Sequence, residues 1–433
     1  MSAICQISQG SPRHAPKVRS KRLSCSITGA LAGQDPGRCP SLDEFPMAQI
    51  IPLSVQPSGP AFHGGRTGFA RGSIGGGSSP QRALVAAFAR GRRREEDVFW
   101  LKENAELLNI LQCTGHRFAD DSLAVLAPFY AAAPRHLSFF RQYYRFILSI
   151  CLDLEDLGME GESGAQMAQW VARQELVQAE LSDLQRAEAR RLLERRDVQL
   201  ADAGLDDRLR GFASRSQTFA IPNKKAAYEL THIVFYLSEY GQRDPDLPAQ
   251  VKTSLEYAGL VAFLDQDADL LAEICIALRY AGHPPPLQWE AWLDRALTEF
   301  SLAKGEFYGV NDDYHAYFVM NWLMVLSGRR GFRHPVPRTV GPATAGGEAG
   351  ARGGGVSRGL LVSGPQGGSV LKHLSEAVFK AGETRPHWPS IKSRCQSALT
   401  PQAQQVLRSA EQSCADFDGF FECFARAGHA APA

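Results

Sequence analysis

Tyr228-Glu-Leu-Thr-His232-Ile-Val-Phe-Tyr-Leu-Ser-Glu239-Tyr-Gly241 is an almost wholly apolar run that carries one histidine through its middle and stops at a glycine. A second segment repeats the design: Asn311-Asp312-Asp313-Tyr314-His315-Ala-Tyr-Phe318-Val-Met-Asn-Trp322-Leu-Met-Val-Leu-Ser-Gly328. Runs that are apolar on every side at helical length predict helices at the centre of a large domain, where a polar group must find a partner or line a cavity. The fold is therefore read outward from these two helices, as all-α.

From Gln81 to Gly328 the helical pattern is nearly continuous. It breaks at Pro134, Gly158 and Gly161, Pro222-Asn223, Gly241 with Pro245 and Pro248, Gly282 with the three prolines after it, and Gly305 with Gly309. No alternating stretch is long enough to predict a sheet. About eleven helices joined by short loops predict helical hairpins packed as an α/α toroid or a stacked array, with residues 81–334 as the main domain. Pro335 to Gly368 is rich in glycine, alanine and proline and is expected to be a flexible linker. Residues 369–426 return to helical pattern as a small tail unit that docks back on the main domain. Residues 1–80 are expected to be a disordered leader, and Met47-Ala-Gln-Ile-Ile-Pro-Leu reads as an ordinary start that would make the first 46 residues an upstream addition.

Composition narrows the function classes. Lys and Arg number 47 against 46 Asp and Glu, so no global field recruits nucleic acid or an anionic membrane. Tyr314 to Leu326 is the run nearest to a membrane span and is too short for one. Nine scattered cysteines with no C-x-x-C predict a soluble protein of the reducing cytoplasm, without a disulfide framework or zinc ribbon.

The Tyr-Glu-Leu-Thr-His232-x-x-Phe-Tyr-Leu-x-x-Tyr-Gly segment and the later Asp-Asp-Tyr-His315 resemble a family of uncharacterised bacterial helical proteins known only as domains of unknown function. Trp100 to Leu111 and Tyr143 to Asp156 share in the resemblance, which covers residues 47–328. It implies a helical fold in a bacterial cytoplasm and carries no activity.

Residues three, four and seven apart share a helix face, which groups His232 with Tyr228, Tyr236 and Glu239, and His315 with Asp312 and Trp322. If the two faces meet, they form an aromatic-walled pocket for a small-molecule or lipid-like ligand. His232 and His315 would then be acid/base or hydrogen-bonding groups, and Tyr228, Tyr236, Glu239, Asp312 and Trp322 its lining. The alternative is that both histidines are structural and the protein is a non-enzymatic scaffold, binding a partner through the charged segment 165–210, whose acids and arginines recur at spacings that make a solvated face. The histidines with Glu239 or Asp312 would be a legitimate oxygen and nitrogen ligand set, but no H-E-x-x-H run or close-spaced histidine pair accompanies them, so no metal ligand is assigned. No cofactor motif survives its context. Gly355-Val-Ser357-Arg-Gly359 lacks a preceding strand, Gly364 to Ser369 lacks the lysine of a phosphate loop, and Asp265-Gln-Asp267-Ala-Asp269 has Leu270 where a calcium loop needs glycine. That last run reads as an acidic helix start, and Asp153-Leu-Glu155-Asp156 reads as carboxylates meeting arginines or solvent near a helix end.

Overall fold

The computed structural model describes residues 80–95, 97–119, 121–307, 312–337, 357–365, 367–382 and 387–425. The expected leader, residues 1–46 and the centre of the expected linker lie outside these. In chain order the first helices are α1 (Pro80–Arg90), α2 (Val98–Cys113), α3 (Ala127–Phe139), α4 (Tyr144–Leu157), α5 (Ser163–Arg173), α6 (Asp183–Glu194), α7 (Leu205–Ala213) and α8 (Ser216–Phe219). The central set follows: α9 (Lys224–Leu237), α10 (Ala249–Leu264), α11 (Ala268–Tyr280), α12 (Leu287–Thr298), strand β1 (Ser301–Phe307), α13 (Tyr314–Leu326) and strand β2 (Ser357–Ser363). The tail holds α14 (Val370–Ala381), α15 (Trp388–Ser397), α16 (Pro401–Ser413) and α17 (Phe417–Phe424). The fold is all-α apart from the antiparallel pair β1–β2, and no helix among the described residues is long and apolar enough to cross a membrane.

The two quoted segments are α9 and α13, and both are buried as expected. Between them stands α11, whose Leu270 to Leu278 is buried without interruption. It packs against α9, α10 and α13 and so occupies the centre of the helical array. Its start is fixed by Asp267, whose side chain accepts from the Leu270 amide, and α9 starts in the same way from Asn223 and the Ala226 amide.

The structure redraws several expectations. Pro134 lies inside α3 rather than between helices: buried Phe129, Tyr130, Ala133 and Leu137 hold the helix on both sides of it. A proline there removes one backbone bond, which anchored packing can offset. The chain instead breaks at Phe140, and His136 lies in the last turn of α3.

The long charged segment is cut into α5, α6 and α7, with Glu175 in the left-handed region at φ 54° and Ser182 capping the Gln185 amide. Ser182-Asp-Leu-Gln185 is a capping box, a start signal that outweighs the continuity of charge.

The far end of the expected linker is ordered as β2, paired with β1 from Ser301↔Ser363 to Phe307↔Ser357, and Leu360 and Val362 are fully buried. Neither strand alternates, and both contain glycine, so the pattern gave no strand signal. Gly359 is required where it stands, because a Cβ there would collide with the carbonyl oxygen of Gly91.

β2 also positions α13. The Leu360 amide donates to Gly91, the Val362 amide to the Asp312 carboxylate at 2.8 Å, and the Asp313 amide back to Val362 at 3.1 Å. The tail helices rest on the central ones through Tyr257 to Asp416 at 2.6 Å and the Trp289 indole to Ser413 at 3.0 Å.

Candidate functional site

Three helices bring their polar side chains to one place. Asp269 and Glu273 stand one turn apart on α11, with Asp269 in the first turn, where the helix dipole favours an anion. On α13, the His315 Nδ1 lies 2.6 Å from Asp269 Oδ1, and its Nε2 lies 3.8 Å from Glu273 Oε1. On α9, Tyr228 donates to Asp269 Oδ2 at 2.8 Å, Thr231 donates to Glu273 Oε2 at 2.6 Å, and the His232 Nδ1 stands 3.8 Å from that same oxygen. The two histidines therefore flank one carboxylate. The Asp269 carboxylate accepts Nδ1–H of His315, which leaves Nε2 turned toward Glu273.

One donor atom from each of Asp269, Glu273 and His315 falls within 4.8 Å of the others, a spacing that a single cation can span. The His315 and Asp269 side chains keep 12% and 21% exposure, so the cluster reaches solvent along one edge.

Burial and charge set the protonation of these groups. Burial presses the His315 imidazole down, but Asp269, with Glu106 and Glu273 behind it, outweighs that and raises it above its ordinary value. Burial pulls Asp269 up, but the His315 imidazole and the Tyr228 hydroxyl hold it below the usual carboxylate range. Glu273 is pushed up by burial, against the pull of His315. His232 is held down to about 3 by burial and stays neutral, its Nδ1–H given to the Tyr228 carbonyl one turn back. A neutral imidazole, an imidazole backed by a carboxylate, and a buried carboxylate that disfavours its charge thus share one cluster.

Of the residues expected from the sequence, the structure brings His232, His315 and Tyr228 together, keeps Tyr236 edge-on to His232 at 6.1 Å between ring centroids, and places Glu239, Asp312 and Trp322 elsewhere. Asp312 makes a bidentate pair with Arg92, at 2.8 and 2.9 Å, and Arg92 also holds Glu103 and the Leu360 carbonyl. Glu239 lies past the end of α9, in the left-handed region at φ 49°, and pairs with Arg191 at 3.1 Å. Tyr236 lies under the Arg191 guanidinium, and Trp322 stacks on Tyr240 at 5.7 Å between ring centroids. The aromatic walls are therefore packed against one another beside the site. The cavity lined by Phe219, Ile221, Lys224, Ala227 and Asp267 measures about 30 Å³, and neither histidine lines it.

The charges of 165–210 divide: Arg173, Glu175, Asp197, Asp207 and Arg208 are exposed as on a solvated face, while Glu188, Arg191 and Arg195 are buried. Arg145 meets Glu188, Arg195 meets Asp153 and Asp156, and Arg196 meets Glu155 and Asp156.

Asp269 and Glu273 escaped the sequence reading for different reasons. Asp269 was absorbed into an acidic helix start. Glu273 carries the same signal that singled out the histidines, a lone polar residue in an apolar run, Leu270-Leu-Ala-Glu273-Ile-Cys-Ile-Ala-Leu278.

The family described as a domain of unknown function (DUF6902) matches residues 71–427. No curated protein and no solved structure matches the chain.

Proposed function

The chain belongs to the DUF6902 family, and we propose that it acts through a buried ligand site between α9, α11 and α13, built on His315, Asp269 and Glu273 with His232, Thr231 and Tyr228 around them. The observation that carries this reading is the dyad of His315 and Asp269, 2.6 Å apart, with the free edge of the imidazole facing a second carboxylate. A carboxylate behind an imidazole fixes its tautomer and its direction, which is how a histidine is readied to exchange a proton with a bound molecule or to bind an electron-poor centre. Thr231 and Tyr228 hold the far oxygens of the two carboxylates, so both acids keep their orientation while their near oxygens stay toward His315. The partial exposure of His315 and Asp269 supplies the entry. The ligand this arrangement suits is small and polar or charged, because the six side chains of the cluster are all hydrogen-bonding or ionisable ones.

The test is native mass spectrometry of the full chain, purified without a metal-affinity step, beside His315→Gln. Added mass present in the parent and absent from the variant is the expected result. Identical spectra, together with unchanged thermal stability on incubation with cell extract metabolites, would overturn the reading and return both histidines to a structural role.

A further inference from the structure

The buried and half-buried carboxylates among the described residues follow a rule with two exceptions. Glu103 and Asp312 are met by Arg92, Asp153 by Arg195, Glu188 by Arg145, Glu239 by Arg191 and Glu290 by Arg279. Glu106 has Lys102 at 3.6 Å and the Tyr314 hydroxyl at 2.8 Å. Asp269 and Glu273, one turn apart on the central helix α11, have no arginine or lysine within ion-pair distance among the described residues. Their partners are two hydroxyls and the two imidazoles. An unpaired buried anion is costly, and two adjacent ones more so, which is why proteins elsewhere neutralise them with a guanidinium or a metal ion. Here the guanidinium is missing and imidazoles are supplied instead.

We infer that Asp269, Glu273 and His315 form a binding site for a divalent first-row transition cation. The inference rests on the ligand-site reading above and names the ligand. The cation lies between His315 Nε2 and Glu273 Oε1, with Asp269 completing the set as the carboxylate that orients the imidazole. Metal–ligand distances of about 2.0–2.2 Å open to an angle of about 130° across the 3.8 Å between these two atoms, within what a site finished by solvent accommodates. An imidazole whose other nitrogen is bonded to a carboxylate is the usual arrangement behind a metal-ligating histidine, since it fixes the ring and raises its basicity. Thr231 performs the equivalent service for Glu273, holding Oε2 so that Oε1 faces the histidine. One nitrogen among oxygens favours manganese, iron or zinc over calcium. The 12% exposure of His315 is the edge from which water or a substrate oxygen would reach the remaining positions.

The experiment is calorimetric titration of the chelator-treated full chain with Mn²⁺ and, separately, with Zn²⁺. The parent is set beside Glu273→Gln, His315→Gln, Asp269→Asn and, as control, Glu290→Gln, which alters an arginine-paired carboxylate of the neighbouring α12. One cation bound per chain, lost in Glu273→Gln and His315→Gln, weakened about 10–100-fold in Asp269→Asn and kept in Glu290→Gln, is the expected outcome. Glu273→Gln removes a buried charge at constant volume and is expected to fold, so loss of binding there is not a folding effect; a melting curve checks it. Absence of binding for both ions, or binding that Glu273→Gln leaves unchanged, overturns the cation site. If an organic mass nevertheless appears in the native spectrum and depends on His315, the ligand-site reading survives without the cation; if neither appears, both fall.

Discussion

Glu188 on α6 and Glu273 on α11 are equally removed from water, at 0% and 2% exposure, yet they are balanced in different ways. Each acid of α6 is answered by an arginine, a partner that stays charged at any pH a protein meets. On α11 the answer is an imidazole, whose charge depends on pH and whose lone pair can be turned to other uses. The first arrangement closes a structure, because removing either member strands the other. The second keeps an acceptor in reserve. Counting buried charges would score the two regions alike; asking what each charge faces separates scaffold from site.

That comparison can be broken at several points. Arg92 is the most heavily committed arginine, bridging Glu103, Asp312 and the β2 backbone, so Arg92→Ala is expected to cost about 3–5 kcal/mol in denaturant unfolding, and a loss under 1 kcal/mol would show that buried arginine pairs here are dispensable. Glu239→Gln leaves the Arg191 guanidinium with a neutral partner in a buried setting and is expected to cost about 3 kcal/mol by the same measurement. Arginine does not fully offset burial everywhere, since Asp153 is raised to about 7 with Arg195 in contact. A folded value raised above the unfolded one means stability that is present below about pH 4 and lost as pH rises through about 7. The parent should therefore decline over that window relative to Asp153→Asn, on the order of 2 kcal/mol, in paired thermal melts.

On the other side of the comparison the sign reverses. Glu273→Gln in metal-free protein should raise stability by about 1–2 kcal/mol, because no arginine is left behind; a loss of that size would class Glu273 with the scaffold acids. The smallest effect is expected from Tyr228→Phe, which removes one hydrogen bond to Asp269 and should cost about 1 kcal/mol while lowering affinity for any ligand of the site.

Much of this was legible in the chain. Polar residues isolated in apolar helical runs identified α9 and α13 as central and gave His232, His315 and Tyr228, because periodicity reports burial and a buried polar group demands a partner. What periodicity could not report is which partner. Asp312 and Glu239 share faces with the histidines on ideal helices, yet Asp312 precedes the first turn of α13 and Glu239 lies beyond the last turn of α9, where the chain has already turned away. The true carboxylates come from α11, a helix brought between the other two by tertiary packing, and no local spacing encodes that meeting. The same limit applies to Arg191 on α6 and to Arg195 and Arg196 just past it, whose spacing is that of a solvated face while acids of α4 and Glu239 beyond α9 draw them inward. Strand β2 was hidden because its pairing partner lies more than fifty residues earlier and neither strand alternates.

The contacts of β2 with the start of α13 carry a consequence for the order in which the protein is made. Synthesis runs from the N-terminus, so α9 and α11 exist before His315 is added, and the amide of Val362 that holds Asp312 comes later still. A nascent chain that ends between α13 and β2 holds all six side chains of the centre without the strand that sets the angle of their last helix. Completion of the centre is thereby deferred until most of the polypeptide has been built, and a cation or other ligand met early in synthesis finds its donors present but unaligned.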